Sequence, residues 1–176
     1  MIKALPEDLK NKISAGEVVE RPASVVKELI ENSIDAGASQ VTVSIEKGGH
    51  NTIQVRDNGH GITPNELPAA VKRFHTSKIY TIDDLFSIST LGFRGEALAS
   101  IASISEMSII SSSKKGEGAE LSIVNGTLSK VQPAPKIGGT EISIRNLFYN
   151  TPARKKFLKT PRTELRKIVN VVRCYG

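Results

Sequence analysis

Along the 176 residues, apolar positions recur first with a helical and then with a strand period. Leu9, Ile13 and Ala15 follow the acids of Pro6-Glu7-Asp8, which predicts a short helix that Ala15-Gly16 ends. Pro22 opens a second helix at a position where its missing N–H costs nothing, and that pattern runs to Ala36-Gly37. Residues 41–45 and 52–56 alternate with period two, as half-buried strands do, and the Lys47-Gly48-Gly49-His50 break between them suits a hairpin. Residues 64–70 and 96–102 predict further helices. Between these, residues 74–95 are rich in Ser, Thr, Asp and Gly with weak periodicity, and so long a loop in a compact domain is usually functional, often a lid. Four more strands are expected at 106–111, 119–124, 127–131 and 140–145, with turns at Lys115-Gly116, Asn125-Gly126 and Gly138-Gly139. Pro152 and Pro161 each begin a helical pattern. The sum is one α+β domain: a two-layer sandwich whose mixed, mostly antiparallel sheet carries helices on one face.

Composition narrows the class. At 39% hydrophobic and 24% charged, a chain of this length removes about two thirds of its unfolded surface from water, enough for a core without staples. Cys174 is the single cysteine, so no internal disulfide is available, no Cys/His cluster offers a structural zinc site, and a reducing cytosol fits. No apolar run approaches the roughly 20 residues that span a bilayer, and residues 1–12 resemble neither a signal nor a transit peptide. The net charge of +6 is local. Residues 151–176 carry eight basic side chains, among them Arg154, Lys155, Lys156, Lys159, Arg162 and Arg166, against one acid, Glu164. Such a segment attracts phosphate backbones such as DNA; it is also what a solvated helix face looks like.

The second helix holds the chemistry. At 100° per residue, Val25, Val26, Leu29, Ile30, Ser33 and Ile34 form a core stripe, while Glu28, Glu31, Asn32 and Asp35 share the other face. Glu28 and Asn32 are four apart and lie side by side. An ordinary amphipathic helix could carry this face, but its like charges repel mildly and only Lys27 lies nearby to offset them. A magnesium–nucleotide complex would account for both groups. The ion takes oxygen ligands and leans on phosphates, Asn32 can supply a neutral carbonyl oxygen, and Glu28 could take a proton from an attacking water.

Two glycine-rich segments add to this. Asp57-Asn58-Gly59-His60-Gly61 follows a predicted strand; it is either a strand-ending turn or an acceptor for a base amino group, with glycines where backbone approaches a flat ring. Gly92-Phe93-Arg94-Gly95 joins the long loop to a helix, where backbone N–H groups attract phosphate oxygens. Neither Gly-Lys-Ser/Thr nor a dinucleotide-type GxGxxG occurs, so a nucleotide would be bound by another route.

The order Glu28-Leu-Ile-Glu-Asn32, Asp57-Asn-Gly-His-Gly61, Gly92-Phe-Arg-Gly95, Gly139-Thr140 resembles the ATPase superfamily of DNA gyrase B, the ninety-kilodalton heat-shock chaperone, sensor histidine kinases and MutL. The segments 15–28, 92–98 and 146–154 are similar to the MutL family of DNA mismatch repair specifically, over nearly the whole chain. The resemblance implies a Bergerat-type ATP-binding fold with ATP and Mg²⁺ as cofactors. Glu28 would be the general base and Asn32 the metal ligand. Asp35 would belong to the nucleotide site, Asp57 would take the adenine amino group, and Gly59 and Gly61 would lie under the base. Thr76, Ser77 and Lys78 of the lid would contact ribose or phosphate; Gly92, Phe93, Arg94 and Gly95 would cradle phosphates; Thr140 would support the adenine end through water. Residues 1–20 would reach a second copy when ATP binds, giving an ATP-dependent homodimer that answers the mismatch-recognition protein MutS in a bacterial cytosol or nucleoid.

In that family a lysine from a following domain completes the phosphate site, so slow or negligible hydrolysis is expected of residues 1–176. A rival from another class is a non-catalytic DNA-binding platform with a relict pocket, supported by the basic tail. A chaperone- or topoisomerase-type ATPase is a second rival, which residues 146–154 argue against. His50, His60 and His75 fall in predicted turns or the lid, which disfavours a sensor kinase.

Overall fold

The computed structural model describes residues 3, 4, 6, 13, 15–78, 81, 83, 90–92, 95–113 and 116–176. Its frame is a seven-stranded sheet formed by β1 (Val41–Glu46), β2 (Thr52–Asp57), β3 (Glu106–Ser112), β4 (Gly118–Val124), β5 (Thr127–Leu128), β6 (Gln132–Ala134) and β7 (Gly139–Arg145). The order is β1-β2-β7-β3-β4, with β5 and β6 both on the outer edge of β4, and the described pairings are antiparallel.

Period-two alternation becomes two apolar rows across this sheet. Val43, Val55, Ile142, Ile109 and Leu121 are successive cross-strand partners; so are Ile45, Ile53, Ile144, Met107 and Ile123. Side chains of one parity share a face, and the interleaved row Ser44, Gln54, Ser143, Ser108, Ser122 is partly exposed. Only one face is therefore apolar, and helices cover it.

Five labelled helices follow in chain order: α1 (Pro22–Asp35), α2 (Leu67–Ala70), α3 (Ala97–Ser103), α4 (Pro152–Phe157) and α5 (Pro161–Tyr175). α1 starts on Pro22, ends at Ala36, and buries Val25, Val26, Leu29 and Ile30 in the core, each worth roughly 1.5–3 kcal/mol on the area scale. α5 packs against α1 and presents Glu164, Ile168, Val171 and Tyr175, a 4-3-4 spacing that keeps one stripe on its neighbour. The contact of Arg21 with Glu164 at one end and Glu31 with Tyr175 at the other makes the two helices run parallel.

Several expectations need correction. Ala15-Gly16 does not end the first helix; residues 15–18 are helical, because Val19 N–H still bonds Ala15 O. The strand expected over 127–131 stops at Leu128, and 132–134 pair separately with β4. Pro133 is tolerated there because the strand is at an edge. On α1, Ile34 is 40% exposed whereas Glu31 is only 8% exposed, since α5 covers the flank that bears Glu31.

Candidate functional site

β2 ends in Asp57, and the chain gathers donors around its carboxylate. Oδ1 accepts the Gly59 N–H at 2.8 Å and the Thr140 N–H at 3.3 Å. Oδ2 lies 3.0 Å from Ser33 Oγ, which is also 2.9 Å from Leu29 O; with one proton, the hydroxyl donates to one of them at a time. A carboxylate has about four acceptor positions, so these three bonds fix its orientation and leave capacity for one more donor.

Glycine is required around this carboxylate for two reasons. Gly139 has φ 141°, and a Cβ there would stand 2.1 Å from Asp57 O. Gly61 has φ 73°, and a Cβ would stand 2.2 Å from Ser112 O. Both are positions where backbone passes against backbone. Ser111 stitches the two together: its Oγ accepts the Ile62 N–H at 2.8 Å and lies 3.0 Å from Gly139 O and 2.9 Å from Thr140 Oγ1. Asn58 is occupied otherwise, its Oδ1 accepting the N–H groups of Ser39 and Gln40.

A second polar centre lies at the C-terminal end of α1. Lys78 Nζ donates to Asn32 Oδ1 at 3.1 Å and to Asp35 Oδ2 at 2.5 Å. Asp35 also accepts the Leu91 N–H on Oδ1 and the Gly92 N–H on Oδ2, at 3.0 and 3.1 Å. Burial pushes the Asp35 carboxyl up, but the Lys78 hydrogen bond, the two N–H groups and the Lys78 charge outweigh it and hold it below the usual value. Lys78 and the backbone of Leu91 and Gly92, from separate parts of the 74–95 segment, thus meet on one carboxylate. Glu28 lies one turn before Asn32 on the same edge and is half-buried. Glu31 is turned aside, 3.2 Å from Lys27 Nζ and accepting the Tyr175 hydroxyl at 2.6 Å.

The residues expected from sequence fall into three groups. Asn32, Asp35, Lys78 and Gly92 meet at one centre, and Asp57, Gly59 and Thr140 at the other, with Gly61 on the adjoining turn. Gly95 backs onto His75 and accepts the Phe74 N–H, Thr76 Oγ1 accepts the Lys78 N–H, and Ser77 is exposed. Phe93 and Arg94 lie outside the described residues. Of the basic tail, Arg154 is half-buried against Gly16, while Lys155, Lys156, Lys159, Arg162 and Arg166 are exposed. Sequence reasoning missed Ser33 and Ser111. A hydroxyl inside an otherwise apolar stripe was the available signal for Ser33; Ser111 carries none.

Among the described residues no three His, Cys, Asp or Glu side chains form a metal cluster. The Asn32–Asp35 corner nevertheless holds an ammonium between two hard oxygens, the donor type magnesium takes, and magnesium needs few protein ligands when phosphates supply the rest. The residues fit that ion.

Residues 20–144 match the family model described as histidine kinase-, DNA gyrase B-, and HSP90-like ATPase. The DNA mismatch repair protein MutL of Xanthomonas axonopodis pv. citri is 56% identical over 168 residues, which cover 95% of this chain and 27% of that protein. MutL of Halothermothrix orenii is 53% identical over 172 residues, 97% of this chain and again 27% of the relative. The chain therefore spans about a quarter of the length of these relatives. The Aquifex aeolicus MutL ATPase domain complexed with ADP superposes with a TM-score of 0.71 at 36% identity, over 90% of this chain and 55% of that one. The N-terminal domain of a DNA repair protein superposes with a TM-score of 0.76 at 31% identity, over 92% of this chain and 46% of that one.

Proposed function

Because the chain belongs to the histidine kinase-, DNA gyrase B- and HSP90-like ATPase family, in its MutL form, we propose that it is a slow, nucleotide-operated switch of DNA mismatch repair. ATP closes the 74–95 segment over the site and orders residues 1–20, two copies associate, and hydrolysis releases them. The state of the switch reports mismatch recognition by MutS to later repair factors, and the basic residues Arg154, Lys155, Lys156, Lys159, Arg162 and Arg166 hold DNA in the bacterial cytosol or nucleoid. Only a higher affinity of ATP for the closed state can drive such a change.

The observation that carries the reading is Asp57. Its carboxylate is aimed by Ser33, Gly59 and Thr140 with one acceptor position in hand, which suits the exocyclic amino group of adenine. Gly59 and Gly61 let the base approach the backbone, and Thr140 supports its far side through water. Gly92, Phe93, Arg94 and Gly95 cradle the phosphates with backbone N–H groups, aided by Thr76, Ser77 and Lys78. Asn32, with Asp35 behind it, would hold magnesium. When bound, the ion would neutralise charge on the phosphate oxygens. Glu28 orients a water and accepts its proton as the water attacks the terminal phosphate.

Paired substitutions test the roles. Glu28→Ala should bind nucleotide and lose turnover by at least about a hundredfold, the usual worth of a general base. Asn32→Ala should weaken Mg–ATP binding itself. Parental turnover by Glu28→Ala would exclude Glu28 as the base.

A further inference from the structure

Beyond its two apolar rows, the helix-covered face of the sheet turns polar at one end. Asp57 and Ser111 follow Val55 and Ile109 by two residues on β2 and β3, and Thr140 precedes Ile142 by two on β7, so all three belong to that face. Thr140 and Ser111 are cross-strand partners, and the Thr140 N–H bonds Asp57 Oδ1. Ser111 is fully buried and Thr140 is 7% exposed. Hydroxyls in such a place are costly unless their hydrogen bonds are made.

A serine hydroxyl has one proton to give and two lone pairs to offer. Three groups surround Ser111 Oγ: the Ile62 N–H at 2.8 Å, the Gly139 carbonyl at 3.0 Å and Thr140 Oγ1 at 2.9 Å. The Ile62 N–H can only donate, and the Gly139 carbonyl can only accept. Ser111 therefore gives its proton to Gly139 O, and the Thr140 hydroxyl turns its own proton onto Ser111. The reverse assignment would take that proton away from a buried carbonyl. Ser111 is then saturated, and Thr140 Oγ1 has only lone pairs left for any further partner.

We propose that Ser111 is a positioning residue for purine recognition: it holds the Thr140 hydroxyl as an acceptor, so that a water between Thr140 and the base donates to both. Such a water suits a base edge that accepts and disfavours one that donates. Adenine presents its amino group as a donor and the neighbouring N1 as an acceptor. Guanine and hypoxanthine present the opposite pair, an oxygen that the Asp57 carboxylate repels and an N1–H that the water cannot satisfy. Asp57 thus reads the amino group, and Ser111, acting through Thr140, sets the reading of the ring nitrogen beside it. The inference rests on the proposed placement of adenine at Asp57.

Calorimetry of the whole chain with magnesium and ADP, 1-deaza-ADP or purine riboside diphosphate tests it. The first analogue keeps the amino group and replaces N1 by C–H; the second keeps N1 and lacks the amino group. Wild type should prefer ADP over each by about fivefold, within the range of one polar contact. Ser111→Ala should lose the preference over 1-deaza-ADP and keep the preference over purine riboside diphosphate. Loss of both together would reduce Ser111 to a structural part and overturn the proposal, as would retention of both. Thr140→Val keeps the backbone N–H on Asp57 and removes the acceptor, so it should lose the same single preference, and the double variant should lose no more. A Thr140→Val protein that still prefers ADP over 1-deaza-ADP would also overturn the proposal. A wild type that discriminates against purine riboside diphosphate but not against 1-deaza-ADP sinks the role of Ser111 alone. A wild type that discriminates against neither, or binds no ADP, sinks the adenine placement with it.

Discussion

The ammonium of Lys78 lies 2.5 Å from Asp35 Oδ2, joining positions 43 apart in the chain at the end of α1. Both groups are largely shielded, with side-chain exposures of 19% and 6%. The same carboxylate accepts the backbone N–H groups of Leu91 and Gly92. One acid therefore ties Lys78 to the backbone at Leu91 and Gly92 within the candidate lid, next to the amide proposed as the metal ligand. A bound cation at Asn32 and the ammonium of Lys78 would compete for the same oxygens, which would couple the position of the proposed lid to nucleotide.

This latch has a pH signature. The folded Asp35 carboxyl titrates below its ordinary value of 3.8. Its stabilising contribution is therefore complete above 3.8 and is lost as the pH falls through the lower folded value. Amide exchange at Leu91 and Gly92 should be protected above that range and lose protection below it. Lys78→Met should already weaken the protection by about tenfold at neutral pH, a change of 1.4 kcal/mol. Unchanged exchange in the variant would show that Lys78 does not hold the lid.

Backbone proximity at the sheet end predicts unequal glycines. Gly139→Ala must fit a Cβ 2.1 Å from Asp57 O at φ 141°, whereas at Gly126 nothing lies within 4 Å. In urea unfolding, Gly126→Ala should cost about 1 kcal/mol, the left-handed penalty alone. Gly139→Ala should cost more than twice as much and also weaken nucleotide binding, because Asp57 must move. Similar losses for the two variants would contradict the packing described around Asp57.

The period of the apolar residues made most of the frame legible. Strands β1, β2, β3, β4 and β7 and helix α1 follow from it, because a one-sided sheet and a helix against it leave a clear alternation. The sequence singles out Asp57 by the glycines that follow it and Asn32 by its four-residue spacing from Glu28, and each sits at one of the two polar centres. What sequence could not carry were pairings made by tertiary docking. Glu31 reads as another solvated acid until α5 brings Tyr175 onto it. Asp35 reads as part of an acidic face until Lys78 and the N–H groups of Leu91 and Gly92 meet on it. Ser33 belongs to the core stripe by angle, and only the sheet end shows its hydroxyl beside Asp57. β6 was hidden because three residues containing Pro133 do not look like a strand.

The Tyr175–Glu31 contact gives a third expectation. Burial, the Glu31 hydrogen bond and nearby negative charge push the Tyr175 hydroxyl from 10.0 up to about 12. A raised folded value favours the neutral phenol, so its contribution is intact below pH 10.0 and lost as the pH rises toward about 12. Tyr175→Phe should lower stability by about 1 kcal/mol at neutral pH, the usual worth of one hydrogen bond. It should also flatten the loss of stability above pH 10.0. Identical alkaline profiles for the two proteins would remove Tyr175 from the helix pair's energetics.

A crystal structure of the chain with magnesium and a non-hydrolysable ATP analogue bears most directly on the nucleotide site. The adenine amino group should lie within hydrogen-bond reach of Asp57 and the phosphates beside Asn32 and Gly92, and Asp57→Ala should lose the complex. An analogue bound elsewhere, or one that binds Asp57→Ala as tightly as the parent, would contradict this placement.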